Sequence, residues 1–477
     1  MKRYRYNILK SIGAIISSAV FFTLTFASGA RAMSIDEETK LGEQLMANIK
    51  NEIEFIDDEF ANEYLNSLGN YIAQSLETKP FPLNFYLINE SQINAFATYA
   101  GHIFFYAGLI NIMEDSDELA GVMAHEMGHV VARHLSRQSE QGKLVGLGTL
   151  AGVLAGVLIG GDAADAIIVG SLAAGTQTML SYSRDDEREA DQYGFKLAYV
   201  SGFKTDALIS AMENLQKGQW GTIQIPEYLL THPVDSERMA NLEAMGRVYS
   251  NPPAKEEVER FRRLYPFFKT IVRAQSTEAK VAERHFNSEL EKTPDSSLAH
   301  LGLAMALQKK GEYSEAIDHY NIALRDLPEK APILRYLGET YDMNGQTSDA
   351  IKTFEKALEI DSKDKYTLYL LAMSYQEREE YAKAVEIYDR LSLMSPVKDD
   401  VFYNLGLCLG RQNNLALAHY NFGIYFKRQG DRDNADFHFK KASELAGSDN
   451  ELQAKIRKET EGMMRDDKGK RQAPPTS

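Results

Sequence analysis

The stretch AHEMGHVVARH, residues 124 to 134, holds His125 and His129 four positions apart, with Glu126 between them. Residues so spaced on a helix project to the same side, about 6 Å apart along the axis, so the two imidazoles can hold one metal ion. Glu126 would leave the same helix beside that ion, placed to take a proton from a water the metal polarises. The chemistry implied is metal-assisted hydrolysis. The same pattern also occurs by chance in helices without metal, so a third ligand decides the matter.

One solution extends the motif to HExxHxxGxxH. It is closed here, because Ala132 and Leu135 stand at the glycine and histidine positions. His134 comes one residue early, about 140° around a continuous helix from His129, and is expected to have a structural or surface role. The other solution takes a carboxylate from a later helix. The segment SRDDEREADQYGFKLAYVSGF, residues 183 to 203, offers Glu187 and Asp191 on one face. Glu187 can serve as the third ligand, and Asp191 can accept the second ring N–H of a ligating histidine. Glu189 is expected to point elsewhere. The plainer alternative is a charged, solvated face. The apolar opposite side, with Ala190, Phe195, Leu197 and Ala198, favours the ligand.

The elements that must position these groups are also legible. Residues 114 to 137 contain few helix breakers and line Leu119, Val122, Met123, Met127, Val130, Val131 and Leu135 along a broad apolar face, predicting a single helix. INAFATYAGHIFFYAGL, residues 93 to 109, reads as an extended segment whose edge could receive an unfolded chain as an added strand. The glycine-rich segment 142 to 175 reads either as a helical hairpin packed near the site or as a gating or membrane-dipping loop, the second giving peripheral membrane contact.

The chain opens with MKRYRYNILK, continues in an apolar run and reaches Ala30, Arg31 and Ala32. This predicts a signal peptide over residues 1 to 32, cut before Met33, with an uncleaved anchor as the alternative. Loss of Lys2, Arg3, Arg5, Lys10 and Arg31 takes 53 basic against 68 acidic residues to 48 against 68, a formal −20. So acidic a chain is a poor partner for nucleic acid. The lone Cys408 can form neither an internal disulfide nor a thiolate metal cluster, and reads as a small core residue.

Beyond a boundary near Asn251, Pro252 and Pro253, Ala282, Ala316, Ala350, Ala384 and Ala418 recur every 34 residues. Four residues after each stands Phe286, Tyr320, Phe354, Tyr388 or Phe422. This is the signature of tetratricopeptide helix pairs, in which alanines let helices approach and aromatics fill the gap between units. Such a stack binds polypeptide partners and has no chemistry of its own. The predicted fold class is therefore α+β: a mainly helical HExxH domain with a small edge-exposed sheet over residues 33 to 250, then an α-solenoid over 251 to 460 and a loose tail over 461 to 477.

Four stretches carry a resemblance: residues 94 to 110, 118 to 134, 183 to 191, and THPVDSERMANL at 231 to 242. The chain resembles the HtpX/CaaX-endopeptidase-like family of zinc metallopeptidases, and within it the periplasmic branch with a tetratricopeptide tail. The resemblance implies one Zn2+ per chain, held by His125, His129 and Glu187, with Glu126 as base and Asp191 and Arg238 in support. It places His232 on the far side of the metal. There His232 could stabilise the developing oxyanion, sit on the metal at rest, or merely shape a loop before Pro233. Asn94, Ala100 and Gly101 match the strand beside the cleft, although Ala100 stands where the family pattern has a second glycine. The implied function is a periplasmic endopeptidase of misfolded or stalled outer-membrane proteins, meeting the outer-membrane β-barrel assembly machinery through its repeats. The alternative is an assembly factor or chaperone with a largely autoinhibited metal site.

Overall fold

The computed structural model describes residues 33–140, 182–218 and 226–471. The predicted signal peptide and the glycine-rich 142–175 segment lie outside the described residues. Contacts divide the chain into two compact units between Ser276 and Thr277, one helix beyond the compositional change near residue 250.

The first unit opens with α1 (Ile35–Glu52), started by a capping box between Ser34 and Glu37, and α2 (Glu59–Ala73), capped by Asp58. Strands β1 (Asn84–Ile88), β2 (Ala95–Ala97) and β3 (His102–Tyr106) form a sheet in the order β1-β3-β2. β1 runs parallel to β3, pairing Asn84 with His102, and β2 runs antiparallel, pairing Ala95 with Phe105. The extended segment is thus two strands, with β3 central and β2 at an edge.

The turn between them requires left-handed backbone at Ala100 (φ 60°) and Gly101 (φ 80°). A side chain at Gly101 would come within 2.4 Å of the Pro82 carbonyl oxygen, and Ala100 packs under Gly42 of α1. Ala100 and Gly101 therefore shape a buried turn rather than line the strand edge. Asn94, also buried, leads into β2, and its carbonyl accepts from Tyr106 N–H at 3.1 Å.

After α3 (Ala107–Ile112) comes α4 (Ser116–Val131), started by Asp115, which accepts from the N–H groups of Asp117 and Glu118. Every residue from Ser116 to Val130 is buried, so α4 is the centre of this unit. The predicted single helix over 114 to 137 is interrupted: α4 ends at Val131 with Ala132 as its C-cap, Arg133 adopts φ 53°, and α5 (His134–Glu140) starts after it. No glycine announces that break. Arg133 is held by Glu38 at 2.7 Å and by the Met33 carbonyl oxygen at 2.7 Å, contacts that only the tertiary fold supplies.

The later elements are α6 (Arg184–Ser201), α7 (Ala207–Gly218), α8 (Glu227–Thr231), α9 (Ser236–Val248) and α10 (Glu256–Ser276). A Ser183–Asp186 capping box starts α6, and Gly202 ends it. Helix α10 belongs to this unit: Arg262 grips Asp117 at 2.7 and 2.8 Å, Tyr265 donates to the Met113 carbonyl at 3.1 Å, and Phe268 stacks on Tyr64.

Helices α4 and α6 pack closely because glycine stands at the contact on each side. A methyl at Gly128 would meet the Ala190 oxygen at 2.8 Å and its Cα at 2.9 Å, and one at Gly194 would meet His125 N at 3.2 Å. Gly128→Ala should therefore force α6 outward and cost about 1–3 kcal/mol by overpacking. Urea unfolding measures it, and a change below about 0.5 kcal/mol, typical of a surface site, would contradict this packing.

In the second unit, paired helices run from Ala279–Lys292 to Asn450–Arg471. The periodic positions behave as their spacing predicts: Ala282, Ala316, Ala350 and Ala384 are fully buried, and Phe286, Tyr320, Phe354 and Tyr388 fill the core between helices. Cys408 is buried in the same core, and burial pushes its thiol up to about 11. The last helix runs through Arg471, past Glu461, where composition predicts a loose tail; its 450–471 segment holds no proline to stop it.

Candidate metal centre

Four atoms able to ligate a metal converge, one each from His125, His129, Glu187 and His232, all within 4.8 Å of one another on buried side chains. Helix α4 supplies the two histidines four apart and α6 supplies Glu187, as the spacing requires. His232 comes from the end of α8, where Pro233 turns the chain into α9. His129 Nε2 stands 3.0 Å from His125 Nε2 and 3.5 Å from Glu187 Oε1. His232 Nδ1 stands 3.0 Å from Glu187 Oε1 and 3.4 Å from His125 Nε2. This puts His232 among the ligand atoms themselves.

The supporting groups fix these orientations. Asp191, one turn after Glu187 on α6, lies 2.9 Å from His125 Nδ1, which turns His125 Nε2 toward the cluster. Arg238 of α9 holds Asp191 with two hydrogen bonds, 2.8 and 2.9 Å, also pairs with Glu187, and donates to the Pro233 carbonyl at 3.0 Å. Three buried charged side chains are thereby compensated by one another, a geometry that is costly to leave half made. The alternative of a solvated acidic face is excluded for Glu187 and Asp191, which are 2% and 1% exposed.

Electrostatics follow from this enclosure. Burial opposes ionisation of Asp191, yet Arg238 and His125 outweigh it and bring the carboxyl down to about 2. Burial likewise opposes ionised Glu187, but His232 and Arg238 hold it below the usual carboxylate range. Burial pushes the His129 imidazole well down, with His125 and His232 adding to the effect, so His129 keeps a neutral ring suited to ligation. His232 moves the other way: burial lowers it, but the Glu187 and Glu126 charges raise it overall.

Glu126 is fully buried, and among the described residues neither carboxylate oxygen has a hydrogen-bond partner. His232 Nε2 faces it at 3.5 Å. A buried, unpartnered carboxylate beside three imidazoles and a second carboxylate fits a hydrolytic metal site, where its missing partners are a cation and a water. Aromatic rings wall the cluster: Tyr182 stacks on His129 at 3.8 Å between centroids, and Tyr228 stacks on His232 at 4.5 Å.

Sequence reasoning missed two features. The tyrosines carry no motif. His134, expected in a structural or surface role outside the site, is fully buried, with its Nδ1 2.7 Å from His129 Nδ1, and Glu189 is its partner at 3.2 Å. The expectation for His134 assumed an unbroken helix, and the turn at Arg133 brings the ring back. Its signal would have been an eleven-residue motif in which every polar side chain is assigned a partner.

The chain matches Peptidase family M48 over residues 59–246 and tetratricopeptide-repeat families over 295–363 and 343–402. It is 26% identical over 376 residues to a β-barrel assembly-enhancing protease of Yersinia pestis, covering 77% of this chain and 76% of the relative. It is 32% identical over 217 residues to the protein of that name in Escherichia coli strain K12, covering 45% of each. A further relative, the metalloprotease LoiP of the same strain, is 32% identical over 184 residues, covering 37% of this chain and 66% of LoiP.

Proposed function

The chain carries a Peptidase family M48 domain followed by tetratricopeptide repeats and is homologous to the β-barrel assembly-enhancing proteases, and on that premise we propose that it is a zinc endopeptidase of the periplasm that degrades misfolded or stalled outer-membrane proteins and assists outer-membrane assembly. The observation that carries this reading is the convergence of His125, His129, Glu187 and His232 beside the unpartnered carboxylate of Glu126. Imidazole and carboxylate donors in that number suit zinc, held at one ion per chain. When bound, zinc supplies Lewis acidity toward water and the scissile carbonyl.

The chain's own residues carry the rest. Glu126 takes the proton of the attacking water on a carboxylate oxygen and returns it to the leaving amine. Asp191 and Arg238 keep His125 and Glu187 aimed inward. His232, held toward its charged form by Glu187 and Glu126, is suited to donate to the oxyanion once substrate displaces it from the cluster. A pocket lined by Tyr182, Arg184, Glu187, Arg188, Pro233 and Arg238 opens beside the ligands. Among the described residues β2 is an edge strand of the sheet, which supports docking of substrate as an added strand, a recognition mode indifferent to most side chains. The repeats would hold the client or the assembly machinery.

Among the described residues no helix is long and apolar enough to cross a membrane. The periplasmic placement rests on the N-terminal leader pattern and on the relatives.

A second reading draws on the place of His232. With its Nδ1 among the ligand atoms it can hold the fourth position of the metal, leaving an assembly factor whose hydrolytic site is shut at rest. An unfolded outer-membrane barrel precursor, incubated with the purified chain with and without a chelator, tests both readings. The peptidase reading expects cleavage that the chelator stops, and cleavage indifferent to the chelator would contradict it. No cleavage, with equal suppression of client aggregation in both conditions, would favour the assembly factor.

A further inference from the structure

We infer that His134 and Glu189 form a hydrogen-bond relay that sets the tautomer of His129 and so aims its Nε2 lone pair into the metal centre. This rests on the reading of His125, His129 and Glu187 as ligands. Directionality follows from the end of the chain that has no choice. Arg137 can only donate, and it does so to Glu189 Oε2 at 2.7 Å. The Glu189 carboxylate can only accept, so the 3.2 Å contact with His134 requires His134 Nε2 to carry a proton and donate it. A second carboxylate oxygen, Asp186 Oδ1, lies 3.6 Å from the same nitrogen and favours the same assignment. A neutral His134 then has its lone pair on Nδ1. At 2.7 Å that lone pair must accept from His129 Nδ1–H, which leaves His129 Nε2 unprotonated and facing His125 Nε2 and Glu187.

The two histidine ligands are thus oriented by the same logic from opposite directions. His125 Nδ1 stands 2.9 Å from an Asp191 carboxylate oxygen directly, and His129 Nδ1 is linked to Glu189 through an intervening imidazole. The left-handed backbone at Arg133 separates α5 from α4, and across that break His134 Nδ1 stands 2.7 Å from His129 Nδ1. His134 is a positioning residue here, since it touches neither substrate nor the convergent ligand atoms.

The test is the zinc affinity of the full chain, stripped of metal and titrated against a chromophoric chelator, in wild type, His134→Leu, His134→Asn and Glu189→Leu. Asparagine presents its Oδ1 close to the position of Nδ1 and preserves the acceptor, whereas leucine fills the space without one. Loss of the relay should weaken binding about 10–100-fold in His134→Leu, with His134→Asn restored to within roughly threefold of wild type. Glu189→Leu, at a side chain 40% exposed where folding is not at stake, should weaken binding several-fold. Equal losses in His134→Leu and His134→Asn would reduce His134 to a space filler and overturn the inference. So would unchanged affinity in Glu189→Leu. A wild-type chain that binds no zinc would overturn the metal reading itself, whereas a zinc-binding wild type with indifferent variants would sink the relay alone.

Discussion

Glu126→Gln should lower kcat/KM for cleavage of an unfolded polypeptide about 10²- to 10⁴-fold, the usual worth of a general base, while leaving metal content unchanged. The split follows from where the side chain stands. Glu126 is next to His125 in sequence but is not one of the four convergent ligands, so the ion does not depend on it. Its two oxygens are buried with no hydrogen-bond partner among the described residues, which makes the carboxylate expensive to keep charged for any structural purpose. A neutral glutamine of the same shape removes that cost. The metal-free variant should therefore melt no lower than wild type, and a fall of several degrees would show that Glu126 holds the fold rather than the reaction. Equal cleavage by both forms would remove Glu126 from the mechanism.

How far the sequence could carry this depended on whether a property was periodic or tertiary. The pairing of His125 with His129, the shared face of Glu187 and Asp191, and the 34-residue rhythm of the repeats all follow from helical geometry, and the fold realises them. The HExxH pattern even contains the glycine that lets α6 approach, because Gly128 faces Ala190. What the sequence hid were departures from regular geometry. An arginine in left-handed conformation breaks the helix, and its stabilising partners, Glu38 and the Met33 carbonyl, lie about a hundred residues upstream. That one break moves His134 from the expected periphery to within 2.7 Å of a ligand. The turn at Ala100 and Gly101 is a similar case: a residue pair that matches a cleft strand by motif lies buried beneath α1 because its backbone must reverse direction. Even His232, placed beside the metal by resemblance alone, has a location that only the stacking on Tyr228 and the contact with Glu187 define.

Glu187 is the residue on which the account turns, since it converts a pair of histidines on one helix into a site spanning two. Its carboxylate meets His129, His232 and Arg238 at once. Glu187→Ala removes one of the three ligands expected from spacing and leaves Arg238 to Asp191 alone. The variant loses the anionic donor and the Glu187 Oε1 contact that holds His232 Nδ1 at 3.0 Å, leaving three neutral and less fixed imidazoles, so occupancy should fall sharply. Stability of the metal-free protein should fall as well, because Arg238 loses half of its buried compensation, a loss of about 1–3 kcal/mol for a hydrogen-bonded charge left short of a partner.

Zinc content per chain after exhaustive dialysis, measured on purified wild type and on Glu187→Ala, decides whether Glu187 completes a metal centre. The expected values are about one zinc per wild-type chain, as for other sites of this donor type, and a small fraction of that in the variant. A wild-type chain free of zinc after refolding in its presence, or a variant that retains as much as wild type, would contradict that role.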